Sequence, residues 1–352
     1  MPKQIIPHHS GFNLGRFVFH RVSLVILFTG ILCSSLAMAN ASHFKPLVLF
    51  QGTVQQGSYL QVVDMGIQRF EEKTGIAVAR IQVQPDHDIY LDTLEKVAKE
   101  GFSPIIVQES NAIPSFPELA RRYPSTQFIS LDVSYHVPNI LGLTFNHAEG
   151  SYVIGYLSGL KTSSGKIGFI GGMDIPVIND FNCGFQLGVK DANPTATVES
   201  QYINNGAFSW EDVQGAKNIA KDMLDSDIDI IFPVAGYASL GVVDSVKQHG
   251  QGYSFGIDYD YSNEYPKTTL ASLEKKADVA VYAALMQLKN GIWNGNQKQF
   301  GIKHGVIAIS INKENPNLTN DDKQVIQQLL LQLKGKSSVI SQKIDEACTH
   351  SL

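Results

Sequence analysis

An aspartate that directly follows a predicted strand is well placed in this sequence to bind a ligand. Asp258 comes immediately after the apolar run Ser254–Ile257, and open α/β sheets bind their ligands at the carboxyl ends of their strands. An ionised carboxylate can accept hydrogen bonds from two hydroxyl groups at once. We therefore expect Asp258 to hold a diol, the alternative being an ordinary turn aspartate.

Glycines follow two further predicted strands. Gly171 and Gly172 come after Lys166–Ile170, and Gly236 follows Ile228–Pro233. Glycine lets the backbone turn sharply and approach a ligand closely, although a turn alone needs the same residue. No Ser or Thr follows Lys166 and no GxGxxG is present, so neither a phosphate-binding loop nor a dinucleotide fingerprint is predicted.

The first 39 residues have the pattern of a secretory signal peptide. Lys3, Arg16 and Arg21 precede the apolar run Val22–Leu32, and Ala37-Met38-Ala39 is a small-x-small cleavage site. Roughly 20 apolar residues would be needed to cross a bilayer. Cys33 follows the bulky Leu32, so no lipid-attachment site is expected. The sequence predicts a periplasmic protein cleaved near Ala39.

Composition excludes several classes of partner and cofactor. Removal of Lys3, Arg16 and Arg21, with no Asp or Glu, changes the formal net charge from −5 to −8, which argues against nucleic-acid binding. No CxxC or His/Cys ligand spacing is present, so no metal and no cofactor is expected. Cys183 and Cys348 remain, and they could form a disulfide or stay as thiols.

A βαβ rhythm organises the remaining chain. The predicted strands are Leu47–Phe50, Ala77–Gln82, Pro104–Val107, Gln127–Leu131, Ile140–Phe145, Lys166–Ile170, Thr197–Tyr202, Ile228–Pro233, Ser254–Ile257 and Thr268–Ala271. The predicted helices are Tyr59–Lys73, Ile89–Glu100 with Asp88 as its capping acid, Phe116–Arg122, Glu149–Leu160, Phe181–Asp191, Glu211–Asp225, Leu240–His249, Lys275–Asn290 and Asp321–Lys334.

Ten strands exceed one comfortable open sheet, so we expect two doubly wound α/β lobes. Because no flexible linker divides the chain, it should cross between lobes several times and form a multi-strand hinge. The expected N-terminal lobe comprises residues 45–145 and 259–305, and the C-terminal lobe comprises 146–258 and 306–352.

Six segments, taken in order, make this organisation specific. Pro138–Gly159, Gly165–Gly172, Phe181–Pro194, Val234–Gly241, Gly256–Asp260 and Thr268–Leu285 resemble the signatures of the basic-membrane-protein family, which are substrate-binding proteins of ABC transporters. The resemblance covers nearly all of the chain after residue 39. It implies a type I periplasmic-binding fold and a cleft that binds purine nucleosides in the better understood members.

The resemblance also implies roles for individual residues. Asp258 is similar to the aspartate that holds the sugar, and Lys275 to a lysine that donates beside it, with Lys276 one position away. Asp132 is similar to an aspartate near the base. Phe181 matches an aromatic that faces the base, and Phe208 and Trp210 occupy a loop where the family keeps another; a core aromatic is the alternative for each.

The first loop departs from the family pattern Asp-x-Ser-Phe-Asn. Ser58 is kept and Tyr59 replaces the Phe, but Gln56 and Leu60 stand in the Asp and Asn positions. Losing these polar partners of the base points to altered selectivity, because an unpaired buried polar group costs about 1–3 kcal/mol.

The sequence thus predicts a monomeric periplasmic protein that binds a nucleoside-like small molecule and presents it to an ABC permease in the inner membrane. A ligand sensor that acts through a receptor, or a binder of a different small ligand, is the alternative. An enzyme such as a nucleoside hydrolase is not predicted, because the clustered acidic motif expected for one is absent.

Overall fold

A computed structural model describes residues 44–108, 113–295, 297–335 and 338–348. The predicted signal peptide, with Cys33 and the cleavage site at Ala39, lies outside the described residues. Within those ranges, no helix is long and apolar enough to cross a membrane.

Twelve strands form two six-stranded sheets, one in each of two lobes. The first sheet contains β1 (Leu47–Gln51), β2 (Ala79–Val83), β3 (Ile105–Gln108), β4 (Phe128–Leu131), β5 (Ile140–Phe145) and β11 (Lys298–Phe300). The second contains β6 (Lys166–Gly171), β7 (Thr197–Tyr202), β8 (Ile230–Val234), β9 (Tyr253–Asp258), β10 (Thr269–Lys275) and β12 (Ile307–Ser310).

Helices cover the sheets. They are α1 (Tyr59–Thr74), α2 (His87–Lys99), α3 (Phe116–Arg122), α4 (His147–Lys161), α5 (Pro176–Ala192), α6 (Val213–Asp225), α7 (Ser239–His249), α8 (Ala277–Lys289), α9 (Asn320–Lys334) and α10 (Val339–Cys348). Short 3-10 turns occupy Gly206–Trp210, Gly236–Ala238 and Ile302–His304.

The two sheets repeat one topology. Their strand orders are β11-β5-β4-β3-β1-β2 and β12-β10-β9-β8-β6-β7, so β4 and β9 hold equivalent places. Every pairing is parallel except that of β10 with β12. Strands such as Ile105–Gln108 and Ile230–Val234 are buried along their length, as expected when helices cover both faces of a parallel sheet. The predicted α/β fold of two doubly wound lobes is confirmed.

The chain crosses between lobes after β5, after β10 and between β11 and β12. Backbone hydrogen bonds join these crossings, from Asn146 N to Phe300 O (2.6 Å) and from Lys276 N to Val306 O (2.7 Å). The buried Glu149 carboxylate accepts from Ile302 N at 2.9 Å. These contacts bind the crossings into one hinge.

The structure corrects the expected return to the first lobe at residue 259. Because β10 pairs with β9 and β12, the chain stays in the second lobe through Lys275. The crossing comes next, and α8 packs on α1, where Gly66 lies against the backbone of Asp278. The sequence had predicted that Lys275 begins a helix, but in the structure it ends β10.

The structure also corrects one predicted helix cap and decides the state of the two cysteines. The cap of α2 is Asp86, whose side chain accepts from Ile89 N, so Asp88 is not the capping acid. Cys183 on α5 and Cys348 on α10 form a disulfide with a Cα–Cα distance of 5.7 Å, which settles in favour of a bridge the alternatives that the sequence left open. The bridge fastens the C-terminal helix to the second lobe.

Candidate functional site

The carboxyl ends of both sheets face a cavity of about 80 Å³ between the lobes, here called the interlobe cleft. Its lining from the first lobe is Gln51, Gly52, Thr53, Ser58, Tyr59, Leu60, Pro85, Gln108 and Asp132. Its lining from the second lobe is Val177, Ile178, Phe181, Ala207, Trp210, Glu211, Val234, Gly236, Tyr237, Ile257, Asp258 and Lys275.

The lobes touch across the mouth of the cleft. Glu211 in the second lobe accepts from the backbone N–H of Thr53 at 2.7 Å. The Tyr261 hydroxyl donates to the Gly57 carbonyl at 2.8 Å. These hydrogen bonds join residues of opposite lobes, so the structure is a closed form.

Two aspartates occupy equivalent positions in the two lobes. Asp132 directly follows β4 and Asp258 ends β9, and both have left-handed backbone conformations, with φ of 66° and 64°. Residues other than glycine seldom adopt this conformation, and such backbone strain is concentrated at functional sites. The topology thus brings one carboxylate from each lobe to the base of the cleft.

Lys275 lies between these aspartates. Its Nζ is 3.1 Å from Asp132 Oδ1 and 3.2 Å from Oδ2, but 4.0 Å from Asp258 Oδ1. Burial alone would raise the pKa of Asp132, but Lys275, with help from His147 and Tyr59, lowers it to about 2. Asp132 is therefore an ionised partner of Lys275 across the lobe boundary.

Asp258 is less well compensated than Asp132. Burial raises its pKa, and Asp132 adds to that rise, while Lys275 and His147 oppose it. Among the described residues, Lys275 forms an ion pair with this carboxylate at 4.0 Å. Its oxygens can thus accept hydrogen bonds from a ligand in the cleft.

Ser58 and Tyr59 begin α1 at the cleft. The Ser58 side chain caps the helix by accepting from Gln61 N. The Lys275 ammonium lies 3.5 Å from the centroid of the Tyr59 ring, a cation–π contact. Burial, followed by the charge of Asp132, raises the pKa of Tyr59 well above its ordinary value, so the phenol keeps its proton.

Phe181 and Trp210 are the predicted aromatics that line the cleft, and both come from the second lobe. Gly236 also lines it, with φ of 58° and its missing Cβ position 3.5 Å from the Trp210 carbonyl. Phe208 does not line it: its side chain is 53% exposed. The prediction that Phe208 lines the site together with Trp210 was wrong, since Trp210 belongs to the described lining and Phe208 does not.

The first loop places in the cleft one of the two side chains that were predicted to decide base selectivity. Leu60 belongs to the described lining, whereas Gln56 is exposed and absent from it. Amides at the cleft come instead from Gln51 and Gln108, which end β1 and β3. Sequence matching to the loop missed these two residues, although each directly follows a predicted strand.

Sequence reasoning also missed His147, the first residue of α4. Its ring is buried, stacks on Phe181 with centroids 4.3 Å apart, and lies 3.4 Å from Asp132 and 3.7 Å from Asp180. Burial opposes the charged imidazole, but Asp132 and Asp180 outweigh it, and the pKa of His147 is raised. Its position just after a buried strand, at a lobe crossing, was the available signal.

Chemically, the cleft offers a ligand the carboxylate of Asp258, the ammonium of Lys275, flat apolar walls and amide groups. Among the described residues no cluster of His, Cys, Asp and Glu could hold a metal ion. This arrangement suits reversible binding of a small polar molecule that carries a flat ring. Two closed lobes around such a site define the class of two-lobe solute-binding proteins.

Comparison with known proteins agrees with that class. The family model for ABC transporter substrate-binding proteins of the PnrA-like type matches residues 45–343, and the chain belongs to this family. Proteins of this family bind substrates for ABC transporters, and the binding proteins of ABC importers work outside the cytoplasm, in the periplasm or the extracellular space.

Relatives and structural neighbours are consistent with this assignment. Basic membrane protein B of Borrelia garinii subsp. bavariensis is 27% identical over 304 residues, covering 82% of this chain and 88% of that protein. An ABC transporter solute-binding protein from Aeropyrum pernix superposes with a TM-score of 0.72 at 20% identity, covering 88% and 98% of the two chains.

A further neighbour shows the same fold in a protein with another description. A transcriptional activator of the comK gene from Bacillus halodurans superposes with a TM-score of 0.65 at 16% identity, covering 83% of this chain and 98% of that one. The predicted type I periplasmic-binding fold is confirmed.

Proposed function

We propose that this protein is the periplasmic component of an ABC importer and binds a purine nucleoside, or a closely similar molecule, in the interlobe cleft. The observation that carries the proposal is the Asp258 carboxylate, which is buried at the base of the cleft and whose contact among the described residues is a 4.0 Å ion pair. A vicinal diol supplies the two donors that such a carboxylate can accept.

The remaining lining suits the other parts of a nucleoside. Lys275 uses Asp132 as its main partner, and an ammonium has three donors, so it can still donate to a sugar oxygen next to Asp258. Phe181 and Trp210 provide apolar faces on which a purine can stack. Gln51 and Gln108 offer amide groups that can pair with the edge of a base.

The protein is exported to the periplasm, where it acts. The N-terminal segment acts as a cleaved signal peptide without lipid attachment, and the mature protein works as a monomer that presents its closed form to a permease. It is a binding protein without catalytic turnover, so incubation with inosine should release no free hypoxanthine.

Isothermal titration calorimetry and thermal unfolding with inosine, adenosine and guanosine test the proposal. We expect at least one of these nucleosides to bind and to raise the melting temperature. Asp258→Asn should weaken that binding by roughly 10- to 100-fold, since a hydrogen bond to a charged group contributes about 1.5–3 kcal/mol.

The matched control is Asp260→Asn, two residues away in the same loop and outside the described lining. It should bind as the unaltered protein does. If none of the three nucleosides changes the melting temperature at high concentration, the nucleoside assignment is wrong.

The same fold also occurs in a protein described as a transcriptional activator, and a fold does not decide between transport and sensing. A sensing role would require a receptor as partner in place of a permease. Uptake of radiolabelled nucleoside by cells with and without this gene distinguishes the two, because a sensor leaves uptake unchanged.

A further inference from the structure

Two buried carboxyl groups at the base of the cleft lie beside a single ammonium, and a proton on His147 adds a second positive charge there. The two carboxyl groups belong to Asp132 and Asp258, whose side chains are 4% and 9% exposed. Lys275 supplies a single positive charge beside them. When both carboxyls are ionised and the imidazole is neutral, the group of Asp132, Asp258 and Lys275 has a net charge of −1 in a buried site.

The position of His147 fits it for the missing charge. Its Nε2 lies 3.4 Å from Asp132 Oδ1, and its Nδ1 lies 3.7 Å from Asp180 Oδ2. The ring is 3% exposed, and among the described residues Nε2 has no hydrogen-bond partner. Both ring nitrogens therefore face carboxylates, an arrangement that a doubly protonated imidazolium satisfies and a neutral ring cannot.

The charged groups around His147 come from several elements. Asp132 after β4, Asp258 on β9 and Asp180 on α5 favour the proton, whereas Lys275 on β10 opposes it. The amino-terminal end of α4, where His147 lies, also disfavours a positive charge. Asp345 on α10 stands behind Asp180 and adds negative charge. The near contacts with Asp132 and Asp180 prevail, and the pKa of His147 is raised.

Closure of the lobes determines whether all these groups meet. Asp132 belongs to the first lobe, whereas His147 begins α4, which packs in the second lobe against α5. Opening of the cleft would move Asp132 away from His147 and admit water, so the closed form holds the proton more tightly than the open form.

We propose that His147 is a positioning residue that takes up a proton as the cleft closes on its ligand, so that ligand affinity depends on pH. The imidazolium ties Asp132 to Asp180 across the lobe boundary and supports the Phe181 ring by stacking at 4.3 Å. The ligand-binding part of this inference rests on the proposed function, but the raised basicity of His147 does not.

The sign of the effect follows from linkage. A group that binds its proton more tightly in the complex makes binding stronger below its pKa in the complex and weaker above it. One proton limits the slope to about tenfold in Kd per pH unit. Affinity should thus be highest and constant below the pKa that His147 has in the open form, fall as the pH rises from there to its pKa in the complex, and stay low above that pKa.

Calorimetry in buffers of different ionisation enthalpy measures the proton directly. The ligand is the member of the inosine, adenosine and guanosine panel that binds the unaltered protein, titrated in steps from about pH 5 to about pH 9. We expect uptake of up to one proton per nucleoside in the range between the pKa of His147 in the open form and its pKa in the complex. His147→Gln should bind with no buffer-dependent heat and with a flat pH profile.

His87→Gln is the matched control, because His87 is also the first residue of a helix but is exposed. It should retain the proton uptake of the unaltered protein. Nucleoside binding with equal heats in all buffers, or unchanged proton uptake in His147→Gln, overturns the proposal for His147 and leaves the nucleoside assignment standing.

A measurement without ligand keeps the two proposals separate. A histidine NMR titration, with His147 assigned through the His147→Gln spectrum, should give His147 a pKa above the ordinary histidine value, because Asp180 lies in the same lobe and stays beside the ring when the cleft is open. If no nucleoside binds, the function proposal fails and this titration decides the other. A His147 pKa at or below the ordinary histidine value overturns the role of His147.

Discussion

Replacement of Lys275 by methionine should cost the protein much of its stability at neutral pH. The substitution keeps the length and apolar stem of the side chain but removes the ammonium 3.1 Å from Asp132 and 4.0 Å from Asp258. Removing one partner of a buried ion pair typically costs about 3–5 kcal/mol, because the other charge stays buried without compensation.

The shifted pKa of Asp132 gives an independent magnitude. A fall from the ordinary value of 3.8 to about 2 corresponds to about 2 kcal/mol of stability at neutral pH, since one pKa unit is about 1.4 kcal/mol. The unaltered protein has this contribution above the unfolded pKa and loses it as the pH falls towards 2. Loss of the Lys275 charge removes the largest of the effects that lower this pKa.

The variant should depend less on pH in the acid range. Without Lys275, burial raises the pKa of the Asp132 carboxyl against the smaller opposing effects of His147 and Tyr59. The stabilisation that the lowered pKa gives above the unfolded pKa is therefore smaller in the variant. The stability difference between the two proteins should therefore be about 3–5 kcal/mol at pH 7 and narrow towards pH 4.

Urea unfolding at pH 7 and pH 5, followed by circular dichroism, measures both the size and the trend. Lys276→Met is the matched control, because Lys276 is 38% exposed and its pair with Glu274 is 3.8 Å long. It should change the unfolding free energy by less than about 1 kcal/mol. If Lys275→Met costs no more than Lys276→Met at pH 7, the buried charge network described above is wrong.

Two other features give predictions of their own. Replacing Cys183 and Cys348 by serine opens a loop with a sequence separation of 165 residues. This should lower the free energy of unfolding by up to about 5 kcal/mol and move the urea midpoint to a lower concentration. An unchanged midpoint would show that α10 is held by packing alone. Glu211→Ala removes the hydrogen bond to Thr53 and should weaken ligand binding roughly tenfold, with a larger radius of gyration in solution scattering. Glu199→Ala, at an exposed position, should change neither quantity.

The sequence was sufficient for most of the fold because ten strands follow one another in a βαβ order and most of them are buried apolar runs. It failed for β11 and β12, which are short edge strands at the lobe crossings. Lys298–Phe300 has the burial pattern of a half-exposed segment, so no period marks it. Its partner β5 lies more than 150 residues earlier in the chain.

The site was predictable where a residue is fixed by its own strand. Asp258 and Asp132 each end or follow a strand that the sequence shows, and both lie at the cleft. Residues held by several distant elements were harder to find. His147 acquires its role from Asp132 and Asp180, which are separated by 48 positions in the sequence, and no local pattern reports that meeting.

The late position of the edge strand β11 has a consequence for how the chain folds. Lys298 pairs with Leu143 of β5, so a chain made from its N-terminus cannot complete the first sheet until β11 is available. Contacts between such distant segments make folding slow. The β5 edge stays open until then. The first lobe therefore completes its sheet only after most of the second lobe has been synthesised.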